Sequence, residues 1–297
     1  MKIEVKGLVK TYGKARALDG LDMNVPEGII YGLVGPNGAG KTTVLQHING
    51  AMKAQEGDVL VEGEPIFENV RLKNKIATIP SDFYYHAQAK VQDMHDLYAS
   101  LYAGFDEQRF NQLAPLFDID PKLPMKSLSK GMKKQVAFWI TLSQRPDILL
   151  LDEPVDGLDP AARHKVWSVV MAEVAERGMT VVTSSHNLRE LTDVCDYVGI
   201  MEAGRMHLER TLSELQDNFV KVQVAFADNK LVYPQDFAIL HEERQNRLFT
   251  LVVKGSAEKV EAAFEQFDPV FINILPLSLE EVFIYELGGV NHEIFAD

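Results

Sequence analysis

The chain has 297 residues, 46% of them hydrophobic and 25% charged, proportions that exclude a fibrous repeat or a disordered polymer and describe a globular protein. That length leaves room for one large domain and a smaller appended one. A net charge of −13, from 43 acidic and 30 basic side chains, argues against broad attraction to nucleic acid or to an anionic bilayer.

Along the chain, Met1 to roughly Gly28 reads as short strands and turns, and Ile29 to Val34 is an apolar run suited to a buried strand. A glycine-rich turn follows, and Lys41 to Met52 has helical character, so strand, loop and helix come in the order a phosphate-binding loop needs. From Phe83 to about Gln144 the pattern is helical, with segments Gln92 to Ala103 and Asp106 to Phe117 and Asp106 as an N-cap. Strand character returns at Asp147 to Leu151. A helix is predicted after Asp159, with Pro160 at its first position and Gly178 at its end, and Met179 to Ser184 forms another buried strand. Strands alternating with helices imply a mostly parallel sheet covered on both faces.

After about Glu209 the character changes. Val220, Val222, Val224 and Phe226 alternate with Lys221, Gln223 and Ala225, as in a half-buried strand. Arg247 to Lys254 suggests a strand, Ser256 to Phe267 a helix and Pro269 to Leu275 a further strand. Ser278-Leu279-Glu280-Glu281 matches a capping box, with Gly288-Gly289 closing that helix.

The sharpest local pattern is Gly35-Pro36-Asn37-Gly38-Ala39-Gly40-Lys41-Thr42, followed by Thr43, which fits G-x-x-x-x-G-K-[ST] between a strand and a helix. Its glycines let backbone N–H groups turn inward around phosphate oxygens, and the helix N-terminus adds positive potential. Lys41 is expected to reach the β and γ phosphates of a nucleotide and Thr42 to ligate Mg²⁺. Further on, Ile148 to Leu151 is an apolar strand ending in the paired carboxylates Asp152 and Glu153. Taken alone, that pair is equally well explained by acids attracted to a helix N-terminus. Beside a phosphate loop it reads as a Mg²⁺ holder, Asp152, and a group that orients or deprotonates water, Glu153.

With these motifs in order, the sequence resembles the ATP-binding cassette (ABC) ATPase family over about Met1 to Glu209. Leu128-Ser129-Lys130-Gly131-Met132 stands ahead of Asp152, where the family has its signature loop. The resemblance implies that this loop contacts the γ phosphate of ATP held by a second cassette. It also matches Tyr12 to an aromatic that stacks on adenine, Gly157-Leu158-Asp159 to a loop at the dimer interface, and His186 to a histidine at the γ phosphate. Two departures stand out. Ser81, followed by Asp82, occupies the place of a glutamine that meets Mg²⁺ and links the site to the membrane subunit; either Ser81 acts through an extra water or Asp82 partly replaces that glutamine. Lys130 and Met132 replace the commoner signature residues.

The resemblance implies an α/β fold: a P-loop NTPase core with a mostly parallel sheet, an antiparallel N-terminal β subdomain and a helical subdomain at about 83–144. A small α+β domain over 210–297 follows an ATPase domain over 1–209. No stretch nears the roughly 18 apolar residues of a spanning helix, and Met1-Lys2-Ile3-Glu4 lacks a signal-peptide apolar region. The single cysteine, Cys195, allows no intrachain disulfide and no zinc-ligand spacing, in keeping with a reducing compartment. The expectation is therefore a cytoplasmic ATPase, peripheral on the inner face of the membrane through an integral membrane permease. It pairs with a second copy of itself or a related cassette and has no nucleic acid partner. Phe83, Tyr84 and Tyr85 read either as part of a groove toward the permease or as core packing. The alternative function is a soluble ABC-type ATPase acting on a partner such as the ribosome, which the acidic balance and the absence of a long heptad segment disfavour. Glu153 and His186 oppose a module that only senses nucleotide.

Overall fold

A computed structural model describes residues 1–227, 233–234, 237–275, 277, 281–282 and 285. The chain divides into two compact units, Met1–Glu209 and Arg210–Asp297.

In the first unit, β1 (Ile3–Tyr12) and β2 (Ala15–Val25) form an antiparallel pair longer than the short strands expected there. β3 (Ile30–Val34) leads into α1 (Lys41–Ile48). That helix stops earlier than the predicted Met52 because the backbone turns left-handed at Gly50, φ 69°, a conformation that glycine adopts without steric cost and that ends helices. β4 (Glu56–Val61) and β5 (Glu64–Pro65) complete an antiparallel sheet in the order β2-β1-β4-β5. After α2 (Val70–Lys73) and β6 (Ile76–Ile79) comes a helical layer: α3 (Val91–Leu101), α4 (Glu107–Phe117) and α5 (Lys130–Ser143). Its first helix begins at Val91, so the segment from Phe83, predicted to open this region, is irregular. Then follow β7 (Ile148–Asp152), α6 (Pro160–Arg177), β8 (Thr180–Ser185), β9 (Tyr197–Glu202) and β10 (Arg205–Thr211).

The six-stranded sheet has the order β10-β9-β3-β8-β7-β6, and β9, β3, β8, β7 and β6 run parallel. Being covered on both faces, β3, β7 and β8 are buried at every residue, which is why they read as continuous apolar runs rather than alternating ones. Parallel register aligns their carboxyl ends, with Val34 opposite Ser185 and Asp152 opposite Ser184. The loops leaving β3, β7 and β8 therefore open on one edge of the sheet, where open α/β sheets take their ligands.

Local chemistry fixes the helix ends. Asp106 and Asp159 accept from the backbone N–H groups of Arg109 and Ala162, and Gly178 closes α6 at φ 67°, as the sequence predicts. The helical layer is held by Trp139, fully buried, which stacks on Phe110 at 4.3 Å and donates its indole N–H to the Phe110 carbonyl. Glu173, 1% exposed on α6, receives Arg109 of α4 and Arg177 at 2.7 Å each, so a buried carboxylate is paired rather than stranded.

The second unit contains α7 (Leu212–Asp217), β11 (Phe219–Ala225), β12 (Ala238–Gln245), β13 (Leu248–Lys254), α8 (Ala257–Glu265) and β14 (Phe271–Leu275). The strands form an antiparallel sheet, β12-β13-β11-β14. Val222, Val224, Leu251 and Val253 pack with Val260 and Phe264 of α8. β12 has no counterpart among the predicted strands: it is an edge strand whose His241, Glu242, Glu243 and Arg244 are exposed, and charge on an edge blocks stray pairing while erasing the apolar alternation. The helix expected from Ser278 to Gly288-Gly289 falls largely outside the described residues.

Candidate nucleotide and catalytic site

The loop from Gly35 to Gly40 is shaped by what lies behind it. A Cβ at Gly35 would stand 2.1 Å from the Met201 carbonyl oxygen, so no larger residue fits. Gly40 caps α1 at φ 105°, a conformation closed to side-chain-bearing residues. The following Lys41 is 5% exposed, and its Nζ donates to the carbonyls of Gly35 at 2.6 Å and Pro36 at 3.2 Å. Burial lowers the lysine pKa, opposed by the fields of Glu153 and Asp152.

Asp152, 6% exposed at the end of β7, is held from two sides. Thr42 Oγ1 donates to Oδ2 at 2.8 Å and Ser184 Oγ donates to Oδ1 at 2.6 Å. The next residue, Glu153, has φ 45°, uncommon for any residue but glycine. Its N–H donates to Ser184 Oγ at 3.1 Å, and its carbonyl accepts from Lys134 Nζ at 2.5 Å. The Glu153 carboxylate lies 3.8 Å from Lys41 Nζ and 3.3 Å from His186 Nδ1.

A cavity of about 290 Å³ opens here, lined by Tyr12, Ala17, Asn37, Gly38, Gly40, Lys41, Thr42, Thr43 and Glu153. The structure thus brings together the phosphate loop, both carboxylates, His186 and Tyr12. Tyr12 stands at the rim, 46% exposed, with its hydroxyl 3.1 Å from Met52 Sδ and Lys10 Nζ 5.5 Å from its ring.

The residues from Leu128 to Met132 lie elsewhere. Ser129 caps α5 through Met132 N–H, and Lys130 Nζ pairs with Asp156 at 2.6 Å. A Cβ on Gly131 would come within 3.1 Å of the Gly157 carbonyl, so this loop packs on Asp156 to Leu158 of its own chain. Leu158 is buried and Asp159 serves as the cap of α6. Ser81 and Asp82 are exposed and do not line the cavity. Phe83 is half-buried against Tyr98 at 6.3 Å, Lys133 lies 5.0 Å from the Tyr85 ring centroid, and Tyr84 projects with 76% of its surface exposed.

Two residues of the site carry no functional role in the sequence reading. Ser184 was legible only as strand; its signal is a hydroxyl pair, Ser184-Ser185, closing an apolar strand that runs beside Asp152. Lys134 stands two residues before the buried run Val136 to Leu142; burial lowers its pKa, against the fields of Asp156, Glu153 and Asp82. Cys195 is buried, its thiol pKa pushed up by desolvation, which makes it inert packing.

A glycine loop on a helix N-terminus, its lysine, and a strand-end carboxylate pair on a parallel sheet define a P-loop nucleoside triphosphatase. The family model described as ABC transporter matches residues 18–156. The ABC transporter ATP-binding protein YtrB of Bacillus subtilis is 30% identical over 289 residues, 97% of this chain and 98% of its own length. The daunorubicin/doxorubicin resistance ATP-binding protein DrrA of Streptomyces peucetius is 31% identical over 223 residues, covering 73% of this chain and 67% of that one. A solved ATP-binding subunit of an ABC transporter superposes with a TM-score of 0.66 at 27% identity, covering 73% of this chain and 92% of that one. The chain belongs to the ABC transporter ATP-binding proteins, and its activity is ATP hydrolysis.

Proposed function

We propose that this chain hydrolyses ATP in the cavity at Lys41 and Glu153, as one of two cassettes that close over two nucleotides and drive export through a separate membrane permease. The observation that carries the reading is the Glu153 carboxylate beside Lys41 and His186 at the mouth of the phosphate loop. Names of relatives covering most of the chain add the direction of transport: one is a Nod factor export protein from Paraburkholderia xenovorans.

In this reading the loop N–H groups and Lys41 hold the phosphates, and Tyr12 stacks on adenine from the rim. Glu153 orients the attacking water and takes its proton, and His186, hydrogen-bonding distance from that carboxylate, steadies it at the γ phosphate. Thr42 and Asp152 offer hard oxygen donors 2.8 Å apart, a set that fits Mg²⁺ beside a nucleotide, which takes few protein ligands. Those two residues would hold the ion, which offsets phosphate charge when bound. Ser129 and Gly131, outside the cavity of their own chain, are available to close over the nucleotide of a second cassette. No helix among the described residues is long and apolar enough to cross a membrane, so a permease subunit supplies the path and the membrane attachment. The exposed segment Ser81 to Tyr85, with Tyr84 outermost, is the surface we assign to that contact.

The test is Glu153→Gln. Turnover should fall about 10²- to 10⁴-fold, the range for removing a general base, while ATP affinity holds and light scattering detects an ATP-dependent dimer. Phosphate release at the wild-type rate would remove Glu153 from the mechanism.

A further inference from the structure

Lysines seldom leave water entirely; the stem packs and the ammonium reaches out. Lys134 does not. It lies on α5, beyond the capping Ser129, and is 4% exposed. Its Nζ makes its described hydrogen bond to a main-chain carbonyl, that of Glu153, at 2.5 Å. Burial, with Lys130 nearby, pushes its pKa down, and the charges of Asp156, Glu153 and Asp82 oppose that shift.

The acceptor is a residue in a costly conformation. Glu153 at φ 45° is left-handed without being glycine, and such backbone persists only where its surroundings over-determine it. Two contacts do so. Ser184, from β8 of the central sheet, receives the Glu153 N–H at 3.1 Å. Lys134, from the helical layer, takes the Glu153 carbonyl. The peptide flanks of Glu153 are thus gripped from two different layers. Because the side chain leaves the Cα in a direction set by φ and ψ, this grip decides where the carboxylate points, and it points at His186 and Lys41.

We propose that Lys134 is a positioning residue for ATP hydrolysis: its ammonium holds the Glu153 carbonyl so that the carboxylate stays aimed into the nucleotide cavity. Through the same bond, a shift of α5 reaches Glu153 directly. The helix that carries Ser129 at its start is therefore wired to the water-activating group of its own chain. This rests on the assignment of Glu153 above and adds a residue outside the cavity lining.

A double-mutant cycle on the full-length chain tests it, using steady-state ATPase rates and the affinity of a fluorescent ATP analogue. Lys134→Met should lower kcat about 10- to 100-fold, the effect expected of misplacing a reacting group by a fraction of an ångström to an ångström. KM and analogue affinity should stay within about twofold, because the phosphate loop is untouched. Lys134→Arg, which restores a charged donor, should recover most of the loss. On a Glu153→Gln background, Lys134→Met should change the residual rate by less than about twofold, since the two act as a unit.

An equal loss of kcat on both backgrounds would overturn the positioning role, as would a raised KM with kcat unchanged, or no change at all. Should Lys134→Met not purify as a folded chain, Lys134→Gln and Lys134→Arg are read against the same criteria. Wild-type turnover in Glu153→Gln alone would strike the assignment of Glu153 and this proposal together. A Glu153→Gln chain that is inactive beside a fully active Lys134→Met would strike only this one.

Discussion

The cavity at Lys41 and the segment from Ser81 to Tyr85 leave the same edge of one parallel sheet, yet they are built in opposite ways. In the cavity the functional residues are each held by defined partners: Asp152 by Thr42 and Ser184, the Glu153 backbone by Ser184 and Lys134, Lys41 by loop carbonyls. In the segment after β6, Ser81, Asp82 and Tyr84 are exposed, with only Phe83 and Tyr85 partly covered. Chemistry that places a carboxylate against a phosphate needs positions fixed before the substrate arrives. The surface proposed to meet a membrane subunit has to leave its side chains available until that subunit arrives. The difference predicts that substitutions in the first region change binding or chemistry, and substitutions in the second change association.

The largest effect belongs to Gly35→Ala. With a Cβ directed 2.1 Å from the Met201 carbonyl, the loop must move away from its phosphate-binding shape, and ATP affinity should drop by about 100-fold or more, the equivalent of losing two or three hydrogen bonds to a charged group. Isothermal titration with ATP would show it; near-normal affinity would mean that the loop tolerates the shift and is less fixed than its packing indicates.

Ser184→Ala comes next. It removes one hydroxyl that both donates to Asp152 and receives the Glu153 N–H. Turnover should fall about tenfold, corresponding to one hydrogen bond of roughly 1.4 kcal/mol, with ATP affinity retained. A fall in affinity without a fall in kcat would show that Ser184 serves binding through Asp152 rather than aim through Glu153.

Tyr84→Ser should have the smallest effect on the chain by itself. Its ring is 76% exposed, and surface substitutions usually stay within about 0.5 kcal/mol, so ATPase of the isolated chain should change by less than about twofold. Co-purification with the proposed membrane subunit should weaken. Strong loss of ATPase in the isolated chain would erase the contrast between the two regions.

Much of this was readable in the residues. Asp159, Pro160 and Gly178 bracket α6 as capping chemistry requires, and the glycine loop, Lys41, Asp152 and Glu153 announce themselves by local pattern. What escaped reading did so for physical reasons. β12 is a charged edge strand without alternation. The early end of α1 hangs on a single left-handed glycine, Gly50. Ser184 and Lys134 reach Glu153 across gaps of 31 and 19 residues, and no local spacing encodes such a meeting.

The sequence by itself therefore determined the phosphate loop, the strand ends that carry the carboxylates and the family to which the chain belongs, because each is a short run whose chemistry depends on its immediate neighbours. Tertiary structure decided the rest. Parallel register placed Ser184 opposite Asp152, packing of α5 brought the Lys134 ammonium to the Glu153 carbonyl, and the path of the chain after β6 left Ser81 outside the cavity. Those are relations between layers, and a layer exists only once the sheet has formed.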